Sequence, residues 1–274
     1  MTASLNKILI PVDFSVNTEI AVQKAVGFAA GEETTIYLLH VVRPGHSAAG
    51  KFNAWEAAQK LEQWKSTILK SHPAADVKTY ILKGRSVQSM IIEYAGMVKP
   101  DLIIIGKQNG RRRWVWFRSI SPDAIARKSN CPVLTAKPGS ILSRTRIILI
   151  PIRHFFPERK LELGVLLARK YKAQVHLLAI QGNNRVQNED LSPIFLRAYH
   201  QLREKLHVPI EYSSISRHNT ARATLDYAKL IMADMILVNP ETESGIHGFT
   251  GFRHLSDWLG RDSKIQVMDI QPYG

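Results

Sequence analysis

Ile-Leu-Ile-Pro-Val-Asp at residues 8–13 recurs almost unchanged as Ile-Leu-Ile-Pro-Ile-Arg at residues 148–153. Each copy precedes a helix-like stretch, and each half later contains an apolar run that begins with Asp, at 101–106 and again at 234–239. A repeat of about 140 residues is far longer than the unit of a solenoid. The sequence therefore predicts two copies of one domain in tandem.

The two copies differ at their last position. Asp13 ends the first phrase, whereas Arg153 ends the second. Because a carboxylate only accepts hydrogen bonds and a guanidinium only donates them, the two halves cannot perform the same chemistry at this point. We expect the first half to keep a site and the second to serve as its structural partner.

Apolar runs alternate with helix-like patterns in both halves, which is typical of parallel α/β units. The predicted strands are 7–12, 34–42, 77–83, 101–106 and 131–137, then 145–152, 173–181, 209–216, 234–239 and 264–270. The predicted helices are 16–30, 52–71, 86–98 and 120–129, then 157–171, 190–206, 220–232 and 250–262. The fold class is α/β, with two tandem, doubly wound, five-stranded and mostly parallel sheets. The predicted domains are 1–138 and 144–274, joined by a short linker that begins at Pro138-Gly139-Ser140.

Composition is that of an ordinary globular protein, with 45% apolar and 22% charged residues among 274. A single cysteine, Cys131, excludes a disulfide framework and a cysteine-rich zinc site. The N-terminal stretch lacks the apolar core of a signal peptide, and no apolar run has the length of a transmembrane segment. We therefore expect a cytoplasmic protein with no transmembrane segment.

Basic residues outnumber acidic ones, and the formal net charge is +14. The first 143 residues carry 19 basic and 10 acidic residues, and the rest carry 18 and 13, so the excess is larger in the first half. A positive field attracts phosphates, nucleic acids and anionic membrane surfaces. The same charge is also compatible with a basic protein that binds none of them.

Four phrases of the first half together resemble the universal stress protein family, because their order and spacing match. They are Ile-Leu-Ile-Pro-Val-Asp-Phe-Ser at 8–15, Leu-Leu-His-Val-Val at 38–42, Asp-Leu-Ile-Ile-Ile-Gly at 101–106 and Ser-Asn-Cys-Pro-Val-Leu at 129–134. The second half is similar in outline but lacks the last phrase. The resemblance implies a tandem member with the adenine nucleotide alpha hydrolase-like fold, which binds nucleotide or regulates partners and has no dedicated catalytic residue.

Nucleotide-binding members of that family hold ATP at the ends of the first two strands and in a glycine-rich loop after the fourth. By this resemblance, the candidate nucleotide or phosphate-binding residues are Pro11, Asp13, Val41, Gly106, Asn109, Gly110, Ser119, Ile120 and Ser121. Glycines let backbone amides approach phosphates closely, but Asn109 and Ser119 occupy the second and third glycine positions here. ATP or another adenine nucleotide is therefore the candidate ligand of the first half, and no cofactor is firmly indicated.

The corresponding loop of the second half departs further from the family pattern. Asn239 stands at the first glycine position, and Pro240-Glu-Thr-Glu243 places carboxylates where phosphates would lie. Because carboxylates repel phosphates, we expect no nucleotide in the second half.

The loop after Gly106 is rich in basic and aromatic residues. The candidate anion contacts are Lys107, Arg111, Arg112, Arg113 and Arg118. Trp114, Trp116 and Phe117 lie between them, and indole rings can stack on bases while guanidinium groups bind phosphates. The loop therefore suits a nucleotide in an altered pose, a nucleic acid strand or an anionic lipid surface. Alternatively, the aromatic rings pack under the loop and the arginines face water.

Histidines and the single cysteine predict neither a metal site nor a catalytic thiol. No H-E-x-x-H motif or zinc-ligand spacing is present. His40 lies on an apolar strand, which favours a structural role, and Cys131 enters a buried-strand pattern without an evident base.

We therefore expect a non-enzymatic stress-response protein that binds a nucleotide or another phosphate ligand in its first half. A ligand-free scaffold acting through its basic surface is the main alternative, and a weak ATPase is a further one. By resemblance to family dimers, 131–137 lies against 264–270, so that the two domains form an intramolecular pseudo-dimer. Further homodimerisation stays open.

Overall fold

The computed structural model describes residues 5–29, 33–44, 53–107, 120–140, 144–181, 191–206, 209–216, 219–240, 242–248, 251–260 and 262–272. The strands are β1 Lys7–Val12, β2 Thr35–Val42, β3 Asp76–Lys83, β4 Leu102–Gly106, β5 Val133–Ala136, β6 Ile147–Ile152, β7 Gln174–Gln181, β8 Ile210–Ser216, β9 Met235–Val238, β10 Gly245–Gly248, β11 Gly251–His254 and β12 Gln266–Asp269. The helices are α1 Val16–Ala29, α2 Ala54–Ser71, α3 Val87–Val98, α4 Pro122–Ser129, α5 Glu158–Tyr171, α6 Pro193–Lys205 and α7 Thr220–Leu230, with short 3₁₀ helices at Pro138–Ser140 and Leu255–Trp258.

Ten strands form one sheet in the order β3-β2-β1-β4-β5-β12-β9-β6-β7-β8. The order β3-β2-β1-β4-β5 of the first half is repeated in the second as β8-β7-β6-β9-β12. Pairing is parallel within each half. The α/β class and the mostly parallel, doubly wound arrangement that the sequence predicts are therefore confirmed.

The two predicted sheets are continuous with each other. β5 and β12 pair antiparallel, with Val267 opposite Thr135 and Met268 opposite Leu134. The predicted contact between 131–137 and 264–270 is thus present, and it joins the two five-stranded halves at their edges. Because each half covers an edge of the other, neither junction strand is an edge strand of the sheet.

Alternate residues of β1 and β6 enter different cores, as expected for strands buried on both faces. Ile8 and Ile10 belong to the same core as Ile148 and Ile150, which α1, α2, α5 and α6 cover. On the opposite face the halves have separate cores, one under α3 and α4 and one under α7 and the Leu255–Trp258 helix. One face of the sheet therefore shares a single core across the whole molecule.

An Asp repeats the same backbone contact in each half. Asp101 accepts hydrogen bonds from the amides of Asn6 and Lys7, both at 2.9 Å. Asp234 accepts from the amides of Arg146 and Ile147 at 2.7 and 3.0 Å. In each half, the carboxylate that precedes the fourth strand therefore holds the start of the first strand. This repeated contact supports duplication of one fold.

The predicted helix 250–262 is wrong. Residues 245–248 and 251–254 pair as antiparallel strands, and among the described residues of the predicted segment only 255–258 are helical. The sequence carries Gly245, Gly248 and Gly251 in this stretch, and glycine disfavours a helix interior by about 1 kcal/mol relative to alanine. The other predicted strands and helices agree with the structure to within a few residues at each end.

Candidate functional site

The candidate site lies at the carboxyl edge of β1, β2 and β4. β1 is hydrogen-bonded to β2 on one side and to β4 on the other, so the chain order reverses next to β1. Ligands of open α/β sheets bind in the crevice at such a point. Pro11 and Val41 are buried near the ends of their strands, and Val41 belongs to the core under α3 and α4.

Asp13 fixes the turn that leads from β1 into α1. Its Oδ1 accepts hydrogen bonds from the Ser15 amide at 3.0 Å and the Ser15 hydroxyl at 2.6 Å. The Thr18 hydroxyl also donates to Oδ1. The carboxylate is half-buried. Asp13 therefore has a structural role, and its side chain remains partly accessible at the edge.

Phe14 adopts a left-handed conformation in the same turn, with φ of 59°. Its ring lies 4.8 Å from the His40 ring and 5.7 Å edge-on from Trp64. His40 Nδ1 lies 2.7 Å from the carbonyl oxygen of Val12. Burial lowers the pKa of His40, which favours the neutral ring. The ring packs against Phe14, in agreement with the structural role that the sequence predicts.

Gly106 packs directly against the first turn of α1. A Cβ at this position would lie 1.9 Å from the carbonyl oxygen of Asn17 and 2.9 Å from the amide nitrogen of Thr18. No side chain fits so close to backbone atoms. The glycine is therefore required by strand-to-helix packing, whatever the loop after it binds.

Most of the loop lies outside the described residues, including Asn109, Gly110, Arg111, Arg112, Arg113, Arg118 and Ser119. Its two ends are described. At the first end, the Lys107 ammonium pairs with Asp257 of the second half at 2.8 Å. At the other end, Ile120 is buried and the Ser121 amide donates to Gln88 Oε1 at 2.8 Å. The loop is thus anchored to the second half at one end and to α3 at the other.

The equivalent edge of the second half contains a buried ion pair. Lys160 Nζ lies 2.6 Å from Glu243 Oε2 and 2.6 Å from the carbonyl oxygen of Pro151. The same carboxylate oxygen accepts the Asn239 amide at 2.9 Å. Burial lowers the pKa of Lys160, and Glu243 acts against that shift. A carboxylate of the chain therefore occupies this edge, in line with the expectation from 240–243.

Further donors surround this carboxylate edge. Arg153 Nη1 donates to the Thr220 hydroxyl at 3.0 Å. In the described part of the chain, Arg153 Nε and Asn239 Nδ2 are buried without a hydrogen-bond partner. The second half thus has a donor-rich edge whose one described anion is Glu243.

Sequence reasoning missed a cluster of buried charges between the halves. Lys137 at the end of β5 is 1% exposed and donates to the carbonyl oxygens of Ser256 and, at 2.7 Å, Leu259. His254 lies beside Asp269 at the end of β12. The signal in the sequence is a charged residue at the end of each apolar junction strand, Lys137 just after β5 and Asp269 as the last residue of β12. This signal can be interpreted only when the two strands are known to pair.

Two further contacts join the halves outside that cluster. The Arg159 guanidinium donates to Asn130 Oδ1 at 2.6 Å and to its carbonyl oxygen at 2.7 Å. On the shared-core face, the Phe28 and Tyr171 rings meet edge-on at 5.8 Å. The halves therefore contact each other through backbone pairing, ionic groups and rings.

Neither metal-binding clusters nor membrane spans are present in the described ranges. No three His, Cys, Asp or Glu side chains there are grouped to hold a metal ion. No helix in those ranges combines the length and apolarity needed to cross a bilayer.

Comparison with known proteins connects this fold to one family. The universal stress protein family model matches residues 4–137. No curated protein matches the chain in sequence. A universal stress protein from Archaeoglobus fulgidus superposes with a TM-score of 0.68 at 15% identity, over 98% of this chain and 97% of its own.

Two other solved structures share the fold over nearly the whole chain. A protein of unknown function from Pseudomonas aeruginosa PAO1 has a TM-score of 0.62 at 15% identity, over 99% of this chain and 94% of its own. The cytoplasmic domain of a prokaryotic cation chloride cotransporter has a TM-score of 0.54 at 12% identity, over 96% and 94%. Residues 4–137 thus belong to the universal stress protein family, and the chain as a whole has the fold of a universal stress protein.

Proposed function

We propose that this chain is a cytoplasmic, non-enzymatic stress-response protein whose first domain, residues 1–138, binds a nucleotide or another phosphate ligand. The second domain, residues 144–274, then acts as its fused structural partner. One contrast carries the proposal: Glu243 occupies the carboxyl edge of the second half, whereas the same edge of the first half leads into the basic loop.

Charge supports an anionic ligand at the first edge. The loop from 108 to 119 contains four arginines and no acidic residue. Guanidinium groups bind phosphates through paired hydrogen bonds, and the amides around Gly106 lie at the crevice where α/β sheets bind their ligands. An adenine nucleotide is the ligand class that the family resemblance favours, with Asp13 and Val41 beside it.

A ligand-free scaffold remains the second candidate because three of the proposed site residues already have structural partners. Asp13 fixes the start of α1, Gly106 packs on Asn17, and Lys107 pairs with Asp257. These contacts explain the residues without any ligand. The scaffold would act through the basic surface of the first half.

Calorimetric titration with ATP, ADP and AMP separates the two candidates. The decisive variant is Arg111→Ala/Arg112→Ala/Arg113→Ala, because Asp13→Ala also disturbs the turn into α1. We expect the triple variant to weaken nucleotide binding by about tenfold or more, since charge-assisted contacts to phosphate are lost. Nucleotide that copurifies with the wild type would be released by heating and seen in the absorbance spectrum.

The matched control is Lys70→Ala/Arg203→Ala/Lys229→Ala, which removes three exposed charges from the surfaces of α2, α6 and α7. It should bind nucleotide as the wild type does. Equal weakening in both triple variants would point to net charge alone, and an absence of binding in the wild type would favour the scaffold. Retardation of RNA or DNA in a low-salt gel would instead identify a nucleic acid ligand.

A further inference from the structure

β8 forms one end of the ten-stranded sheet. It pairs with β7 over its whole length, from Ile210 to Ser216, and its other side pairs with no strand in the described ranges. The Val175 amide donates to the carbonyl oxygen of Pro209 at 3.2 Å, so the backbone groups of every second residue from Pro209 onward point toward β7. The amides and carbonyls of residues 210, 212, 214 and 216 therefore point away from the sheet, where a further strand can bind them.

The opposite edge strand, β3, is protected by charge, whereas β8 is not. β3 carries Asp76, Lys78 and Lys83, and Lys78 pairs with Asp76 at 3.1 Å. Charged side chains, lysine above all, keep an edge strand from pairing with another chain. β8 reads Ile-Glu-Tyr-Ser-Ser-Ile-Ser and carries a single charge, Glu211. Of the two edges, β8 is therefore the one that suits the addition of a strand.

Exposed apolar side chains accompany this edge. Tyr212 on β8 is 53% exposed, and Leu196 on the adjoining helix α6 is 43% exposed. The Tyr212 ring lies 5.6 Å from the Tyr199 ring and 5.9 Å from the Phe195 ring, so α6 supports it from one face of the sheet. Covering such rings removes apolar surface from water, which stabilises association. Backbone pairing at β8 would thus be accompanied by apolar contacts.

The strand is self-complementary when two copies pair antiparallel about a twofold axis. With Ser213 on the axis the strands overlap completely, and residues 210 and 212 lie opposite 216 and 214 of the second copy. All four belong to the outward-pointing set, so each opposed pair exchanges two backbone hydrogen bonds. Glu211 lies opposite Ile215 of the second copy, so the two Glu211 carboxylates do not face each other.

We propose that β8 is a homodimerisation edge, at which two copies of this chain pair β8 with β8 antiparallel, in register about Ser213, and so join their sheets. The chain already joins its own halves in this way, since β5 and β12 pair antiparallel within the sheet. A twofold interface uses the same surface on both subunits, which requires a surface that does not repel its own copy. The inference goes beyond the proposed function and does not depend on any ligand of the first domain.

Sedimentation equilibrium tests the dimer in the ligand-free wild type. From about 1 µM to about 1 mM chain, the data should fit a monomer–dimer equilibrium. Ser214→Pro removes an outward-pointing amide and places a ring in the path of the second strand, while the backbone bonds to β7 are kept. This variant should raise the dissociation constant of the dimer by about tenfold or more.

Thr79→Pro on the other edge is the matched control. The Asp76 amide donates to the carbonyl oxygen of Thr34 at 2.9 Å, so the Thr79 amide points away from β2 and is the equivalent position of β3. Thr79→Pro should dimerise as the wild type does. Tyr212→Lys leaves the backbone donors in place and replaces the exposed ring by a charge, so it should also weaken the dimer. Circular dichroism checks that each variant is folded.

Cysteine cross-linking tests the register. In the proposed pairing the two Ser213 residues oppose each other without sharing hydrogen bonds, a position at which Cα atoms lie about 4.5 Å apart and a disulfide fits. Ser213→Cys should therefore form a disulfide-linked dimer under mild oxidation. Ser214→Cys should not, because Tyr212 of the second copy lies opposite it. The native Cys131 is buried, and the wild type should remain without a cross-link.

Three results would overturn the proposal. The first is a wild type that stays monomeric over the whole concentration range. The second is a dimer that Ser214→Pro and Tyr212→Lys leave unchanged, or that Thr79→Pro weakens equally, since the contact would then lie elsewhere. The third is a cross-link in Ser214→Cys instead of Ser213→Cys. None of these measurements contains a nucleotide, so a failure of the proposed function is distinguishable from a failure of the dimer.

Discussion

Lys160 and Glu243 are 83 positions apart in the sequence, yet their charged atoms lie 2.6 Å apart in the buried edge of the second half. Each is at most 3% exposed at its side chain. A buried charge without a partner is strongly unfavourable, because water no longer solvates it. Changing either residue alone therefore leaves the charge of the other buried and unpaired.

Glu243→Ala should lower the free energy of unfolding by about 3–5 kcal/mol, the usual cost of breaking a buried pair from one side. The double variant Lys160→Met/Glu243→Leu should recover most of that loss, since it removes both charges and restores apolar volume. Equilibrium urea unfolding at pH 7 measures the three values. Glu204→Ala, an exposed carboxylate on α6, is the control and should change stability by less than about 0.5 kcal/mol.

A double variant as unstable as Glu243→Ala would show that packing, and not the unpaired ammonium, dominates this site. The residue scale also marks where sequence reasoning stops. The positions of Asp13 and Gly106 at the carboxyl edge of the sheet were predictable, because Asp13 directly follows an apolar strand and Gly106 ends one. The Lys160–Glu243 and His254–Asp269 pairs were not, since each depends on a topology that brings distant segments together.

At the scale of elements, the strands were the most predictable part of the chain. Residues 8–10 and 148–150 form continuous apolar runs because both faces of their strands are covered by helices. The segment 250–262 was mispredicted as a helix, although Leu255 and Leu259 do have helical spacing. Both leucines are buried, but they lie in and directly after a short 3₁₀ helix that follows paired strands, and not in an α-helix.

The Leu255–Trp258 helix offers a prediction of its own through Lys137, whose pKa burial lowers to about 8. The unfolded chain binds this proton up to about pH 10.5, so between pH 8 and pH 10 the unfolded state holds more protons than the folded one. Lys137 should therefore contribute stability that rises with pH in this window, by up to about 1.4 kcal/mol per pH unit.

Comparison of wild type with Lys137→Met tests that sign. The unfolding free energy of the wild type minus that of Lys137→Met should become more positive from pH 8 to pH 10, because only the wild type has the buried ammonium. Chemical denaturation at several pH values in this range measures it. Lys229→Met, at an exposed position of α7, should show the same pH dependence of stability as the wild type. A wild-type value that falls relative to that of Lys137→Met as the pH rises would contradict the prediction.

At the scale of the whole molecule, the junction determines how the halves behave together. β5 and β12 pair across it, Arg159 and Lys137 bond across it, and one core runs beneath it on the α1 and α5 face. Gly139 sits so close to the carbonyl oxygen of Asp262 that a Cβ would lie 2.1 Å from it. The chain just after β5 is thus itself packed on the second half.

Unfolding should therefore be one cooperative transition of the whole chain, although each half has a complete sheet. Scanning calorimetry should give a single peak whose calorimetric and van't Hoff enthalpies agree, with a heat-capacity increase of about 3–4 kcal/mol/K. Arg159→Ala removes the bonds to Asn130 and should move this single peak down by about 2–4 °C per kcal/mol lost, whereas Arg203→Ala, on the surface of α6, should not. Two resolved peaks in the wild type would mean that the shared core and the junction pairing are too weak to couple the halves, because a strong interface cannot stay formed when one of its sides has melted.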